Sequence, residues 1–110
     1  MNRTLFARAS LGLLLLFGCW IAYTQNQGKP PQLTLNKVKD DLYEIEGDGG
    51  NVAVYVTSEG VILVDDKFEQ DFEGITAKVK SVSDQPVKYV LSTHHHSDHS
   101  GGNVKFSPNC

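Results

Sequence analysis

Thr93-His94-His95-His96-Ser97-Asp98-His99-Ser100-Gly101-Gly102-Asn103 holds all four histidines of the chain, and they fall within six residues. Read by spacing, the stretch is H-x-H-x-D-H. In an extended segment side chains alternate, so His94, His96 and Asp98 are expected on one side and His95 and Ser97 on the other. Two neutral imidazoles at that spacing suit one Zn²⁺ held at about 2.0–2.1 Å. Asp98 and His99 lie just beyond, where the chain turns, and can address a second ion. Two ions about 3.5–4 Å apart would act on both the attacking and the leaving oxygen of a displacement. Gly101-Gly102 permits close backbone approach and a helix start facing the site. The bland alternative is a tag-like or merely polar loop, but tags are terminal and are not interleaved with Asp. His95 is the exception, since its direction makes it a rim residue rather than a ligand.

Working outward, Val87-Lys88-Tyr89-Val90-Leu91 reads as a strand whose carboxyl end runs into the histidines. Before it, Phe68, Phe72, Ile75, Val79 and Val82 recur at helical steps, with Asp71 as N-cap and Glu73, Lys78 and Lys80 on the wet side. Gly74 inside that helix costs about 1 kcal/mol relative to Ala. Val61-Ile62-Leu63-Val64 is an apolar run that predicts a strand covered on both faces. Asp65-Asp66 follows at its carboxyl end, where α/β folds place their chemistry. Earlier still, Leu33-Thr34-Leu35 and Tyr43-Glu44-Ile45 alternate around the turn Lys39-Asp40-Asp41, and the Gly-rich stretch Gly47 to Asn51 leads into Val52 to Val56. The expected order is four strands, a helix, a strand and the loaded loop. No internal repeat or low-complexity tract interrupts it.

Residues 1–24 have the plan of a secretory signal peptide: Arg3 and Arg8, then an apolar run from Leu11 to Ala22, then Thr24-Gln25-Asn26. That run is shorter than the about 20 apolar residues a spanning helix needs. Leu16-Phe17-Gly18-Cys19 also resembles a lipoprotein cleavage box, which would make Cys19 a lipid anchor. Residues 25–32, with Pro30-Pro31, read as a linker, and 33–110 as the domain. The product is therefore expected outside the cytoplasm, periplasmic or extracellular, touching a membrane only through its leader or through Cys19. With the leader removed, Cys110 has no intramolecular partner, which excludes a disulfide-held module. Past Ala22 there are eight lysines, no arginine and thirteen acids, so nucleic-acid binding is disfavoured and a small-molecule substrate is the expected partner.

The histidine loop resembles the H-x-H-x-D-H signature of the metallo-β-lactamase superfamily. Gly49-Gly50-Asn51 before a valine-rich strand, and Val61 to Asp65 before an amphipathic helix, follow the order in which that family builds its first half. The resemblance spans about Leu33 to Val104. It implies the first half of an αββα sandwich, an α/β fold that is incomplete in this sequence. It also implies His94 and His96 as ligands of one zinc, Asp98 and His99 as ligands of a second, and Asp98 orienting the bound water. Asp65 would support the ligands from behind. The implied reaction is hydrolysis of an ester, lactone, thioester or β-lactam, with zinc lowering the pKa of water to about 7. Two departures stand out. Many members carry a small residue and Gly after the strand-end Asp, whereas Asp65-Asp66-Lys67-Phe68 stands here, so a different turn is expected. The family's remaining His and Asp ligands come from later sequence, and no histidine follows His99. The chain on its own is therefore expected to lack activity, and the rival reading is a truncated, non-catalytic remnant that binds zinc weakly.

Overall fold

The computed structural model describes residues 31–109; the expected leader, most of the linker, Cys19 and Cys110 lie outside the described residues. Five strands form one sheet in sequence order: β1 (Thr34–Lys39), β2 (Leu42–Glu46), β3 (Val52–Thr57), β4 (Gly60–Val64) and β5 (Val87–Leu91). The first four are joined as antiparallel neighbours, with Asp40-Asp41 turning β1 into β2 and Ser58-Glu59 turning β3 into β4. Between β4 and β5 the chain crosses through helix α1 (Phe72–Lys80), and the two strands run parallel, as a β-α-β connection requires. Two short helical turns follow, α2 (Ser97–Ser100) and α3 (Asn103–Phe106). This is the expected α/β order of four strands, helix and strand. Among the described residues no helix is long and apolar enough to cross a membrane.

Alternation decides which side of the sheet is the core. Ile45, Val52, Val54, Val61 and Leu63 are fully buried together with Ile75 and Val79 of α1 and Phe106 of α3. Phe106 also meets Phe72 edge to face at 4.7 Å, which pins the last turn against α1. The opposite face carries Tyr55, Ile62, Val64, Tyr89 and Leu91, of which Tyr89 and Leu91 are more than half exposed. The expectation that β4 is covered on both faces is thus met on one face only among the described residues.

The helix is shorter than its periodicity predicts. Phe68 precedes it, separated by a 3₁₀ turn over Glu69–Asp71, and Val82 follows its end. Asp71 sits at the N-cap position, but with helical backbone angles and no side-chain bond into the helix. Its carboxylate reaches back instead and accepts the Phe68 N–H at 3.3 Å, because the preceding turn already occupies the first helical donors.

Candidate metal centre

The carboxyl ends of β4 and β5 lie side by side, and both lead into the site. After Val64 the backbone enters an unusual turn, with Asp65 at φ 65° and Lys67 at φ 58°, both left-handed. Non-glycine residues rarely hold that region unless the surroundings over-determine it. Here they do. Asp65 N–H donates to Leu91 O at 2.8 Å, Asp66 N–H to His99 O at 2.9 Å, and Gly102 N–H to Lys67 O at 3.2 Å. The departure from the family's small residue and Gly is therefore accommodated by a strained but tightly bonded turn that the histidine loop itself clamps.

Asp65 is buried at 5 % exposure and accepts four hydrogen-bond contacts from the other strand end. Thr93 N–H reaches its Oδ1 at 2.7 Å, and the Thr93 hydroxyl lies 3.0 and 2.8 Å from its two oxygens. His99 Nδ1 lies 2.8 Å from Oδ2. Burial alone would push the Asp65 carboxyl up, but the Thr93 N–H, the His99 and Thr93 side-chain bonds and the His99 charge outweigh it and hold it below the usual carboxylate range.

These bonds fix both imidazoles. A carboxylate only accepts, so His99 Nδ1 carries a proton, and in the neutral ring its Nε2 offers a lone pair. The Thr93 hydroxyl has a single proton, which it gives to Asp65; toward His94 Nδ1, 2.9 Å away, it can only accept. His94 is thereby set in the same tautomer. One buried carboxylate thus orients two histidines, one directly and one through Thr93. The ring centroids of His94 and His99 are 4.1 Å apart, and His96 stands edge-on to His94 at 4.7 Å. His95 is exposed, 5.1 Å from the His96 ring.

Asp98 completes the cluster: its Oδ2 is 3.4 Å from His99 Nε2. Ligands of one tetrahedral zinc, bonded at roughly 2.05 Å, stand about 3.3 Å from each other, so this nitrogen and oxygen are spaced as partners on one ion. Ligand atoms of Asp65, His94 and His99 also fall within 4.8 Å of one another. Asp65, however, has both oxygens bonded to Thr93 and His99. The donor set of imidazole nitrogens and a carboxylate suits a divalent metal cation.

One feature of the loop differs from the expectation. Strict alternation ends at Leu91: residues 92–96 bend, and α2 begins at Ser97 with His96 as its extended N-cap residue, φ −62° and ψ 141°. Asp98 and His99 therefore ride on a helical turn, and the Asp65 anchor rather than the pleat places the rings. Gly101 ends this turn and Gly102 is the N-cap residue of α3, the expected helix start, and a side chain at Gly102 would meet Asp66 O at 2.7 Å. On the other flank, the His99 ring stands where a Cβ on Gly50 would be, and Gly50 donates its N–H to Asp98 Oδ2 at 3.1 Å. Gly49, at φ 75°, has no room for a Cβ beside Asp98 and Phe68.

Four residues without a role in the site as read from the sequence shape it: Thr93, Asp66, Lys67 and Gly50. Asp66 is fully buried, with Oδ1 accepting from Gly102 N–H at 2.9 Å and Oδ2 without a partner among the described residues. Burial raises its pKa to about 6, against the Gly102 bond and with help from the Asp65 charge. Thr93 adjoins His94, and a hydroxyl between a strand end and the first ligand is a readable signal. The sequence marks Lys67 only as part of the unusual run Asp65 to Phe68.

Against known proteins, the metallo-β-lactamase superfamily profile matches residues 45–109. No curated protein sequence matches significantly. Among solved structures, a B3 metallo-β-lactamase described as the first with an active-site glutamic acid is 27% identical, with TM-score 0.60, covering 74% of this chain and 30% of that one. BJP-1, a subclass B3 enzyme of Bradyrhizobium japonicum, is 29% identical with TM-score 0.58, over 73% of this chain and 30% of its own. DIM-1 metallo-β-lactamase, at 21% identity and TM-score 0.60, over 73% of this chain and 40% of its own, shares the fold. The chain spans about 30–40% of the length of these structures. The profile covers more than half of the chain and ends across the histidine loop, and the chain belongs to the metallo-β-lactamase superfamily.

Proposed function

We propose that this chain supplies the first ligand cluster of a zinc-dependent hydrolase acting on a small molecule with an ester, lactone, thioester or β-lactam bond. The observation that supports the reading is the Asp65 arrangement, which bonds His99 directly and His94 through Thr93, with Asp98 Oδ2 3.4 Å from His99 Nε2. His94, His96, Asp98 and His99 are the proposed ligands of one or two ions, and Asp65 the carboxylate behind them. When bound, the metal supplies a Lewis acid and a water acidic enough to react near neutral pH. Asp98, with an acceptor oxygen beside His99, would orient that water. The lack of arginine past the leader weighs slightly against phosphate esters. Arg3, Arg8 and the run from Leu11 to Ala22 support export.

Equilibrium dialysis of the chain against buffered zinc tests the metal reading. Binding is expected to weaken about 10–100-fold in His99→Ala. Zinc uptake that is equal in the unsubstituted chain and in His99→Ala would contradict it, and uptake by neither would favour the non-catalytic remnant.

A further inference from the structure

Lys67 is the largest fully buried side chain among the described residues. It leaves a left-handed backbone position and runs under the Gly-rich loop, with its Cε 3.7 Å from where a Cβ on Gly47 would stand. Its Nζ donates to Asp48 O at 3.0 Å and to Gly50 O at short range. None of the ion pairs among the described residues involves it. Burying an amino group costs several kcal/mol unless it is hydrogen-bonded, so a position that needed only filling would be better served by Leu or Met. What the amine adds is the capture of two carbonyls.

Those carbonyls belong to the loop that touches the ligands. Gly50 is held at both of its backbone groups: its C=O by Lys67 and its N–H by Asp98 Oδ2, with the His99 ring standing where a Cβ would be. Rotation of this residue would release Asp98, and glycine has no side chain of its own to resist rotation. We propose that Lys67 is a positioning residue of the metal centre, clamping Asp48 and Gly50 so that the Gly50 N–H holds Asp98 in ligand orientation beside His99. The proposal rests on the metal-centre reading above and adds the element that fixes Asp98, as Asp65 fixes the two histidines. Hydrogen-bonded partners behind a ligand are worth about 10–100-fold in metal affinity, which sets the size of the effect.

The test compares the chain with Lys67→Met, which keeps the stem and removes the donor, in two readouts: zinc affinity by chelator competition, and amide exchange at Gly50 against Val54 in β3. Lys67→Met is expected to weaken zinc about tenfold and to speed Gly50 exchange about tenfold, with Val54 within about twofold. In an Asp98→Ala background, adding Lys67→Met should change zinc affinity by less than about twofold, because the clamp acts through Asp98. If Lys67→Met does not fold, Lys67→Gln, whose shorter amide reaches the carbonyls poorly, is read in the same way. Unchanged affinity and Gly50 exchange overturn the proposal. So does an undiminished loss in the Asp98→Ala background, or equal acceleration at Gly50 and Val54, which would make Lys67 a support of the whole sheet. Failure of the unsubstituted chain to bind zinc refutes the metal reading itself, and with it this one; binding that Lys67 does not affect refutes only this one.

Discussion

The two strand ends that meet at the site divide its work unequally. The turn after β4, Asp65 to Lys67, is buried, left-handed at two positions and tied to the neighbouring segments by the Asp65 carboxylate, the Asp66 N–H and the Lys67 amine. The segment after β5, His94 to His96, is exposed and outside regular structure until α2 begins. The exposed segment carries the donors, yet the buried turn decides where they point. A chemist inspecting only the histidines would see the ligands and miss what makes them converge.

The sharpest way to break this contrast is Asp65→Ala. It removes the acceptor for Thr93 and His99 together and frees both ring tautomers, so zinc affinity should fall about 100-fold, the upper end for groups behind a ligand. A loss no larger than that of Thr93→Val, which cuts only the branch to His94, would mean that Asp65 does not organise the pair.

The next effect is one of pH, and it separates the two adjacent acids. Asp65 is held low, so its contribution is present above the ordinary carboxylate pKa and is lost as pH falls through its folded value. Asp66 is raised from 3.8 to about 6, so the folded state holds its proton more tightly than the unfolded chain does. Its contribution is complete below 3.8 and is lost as pH rises through about 6. In the metal-free chain, Asp66→Asn should flatten the fall in stability between about pH 4 and 6, a change of about 2 kcal/mol. Denaturant melts across that range check it; an unaltered slope would show that Asp66 is solvated.

His95→Ala should do least. The side chain is exposed and makes no hydrogen bond among the described residues, so stability should stay within about 0.5 kcal/mol and zinc affinity within about twofold. A larger loss measured by the same dialysis would place His95 among the ligands and redraw the exposed half of the site.

Much of the fold can be read in the sequence because its signals are local. Val61 to Val64 announces a buried strand, Phe72 to Val79 a helical face, and Asp40-Asp41 and Ser58-Glu59 their turns. The donors can be read too, since H-x-H-x-D-H is a contiguous pattern. What is illegible is the support. Asp65 and Thr93 are 28 residues apart, and Lys67 and Gly50 are 17 apart, so their pairing exists only once β4 lies beside β5 and the Gly-rich loop folds over the turn. A left-handed lysine has no sequence signature, because propensity would place glycine there. The open face of the sheet, with Tyr55, Tyr89 and Leu91, is by contrast legible, since Val61 to Val64 asks for cover on both faces and the sequence offers one strong amphipathic helix to give it.

The claim that one buried carboxylate presets both histidines is most directly tested by imidazole nitrogen NMR on the metal-free chain at about pH 8.5, where a free ring is neutral. The account predicts that His94 and His99 both carry their proton on Nδ1, that His95 shows no such enforcement, and that Asp65→Ala returns both rings to the mixture seen in His95. An Nε2-protonated His94 or His99 in the unsubstituted chain would contradict it.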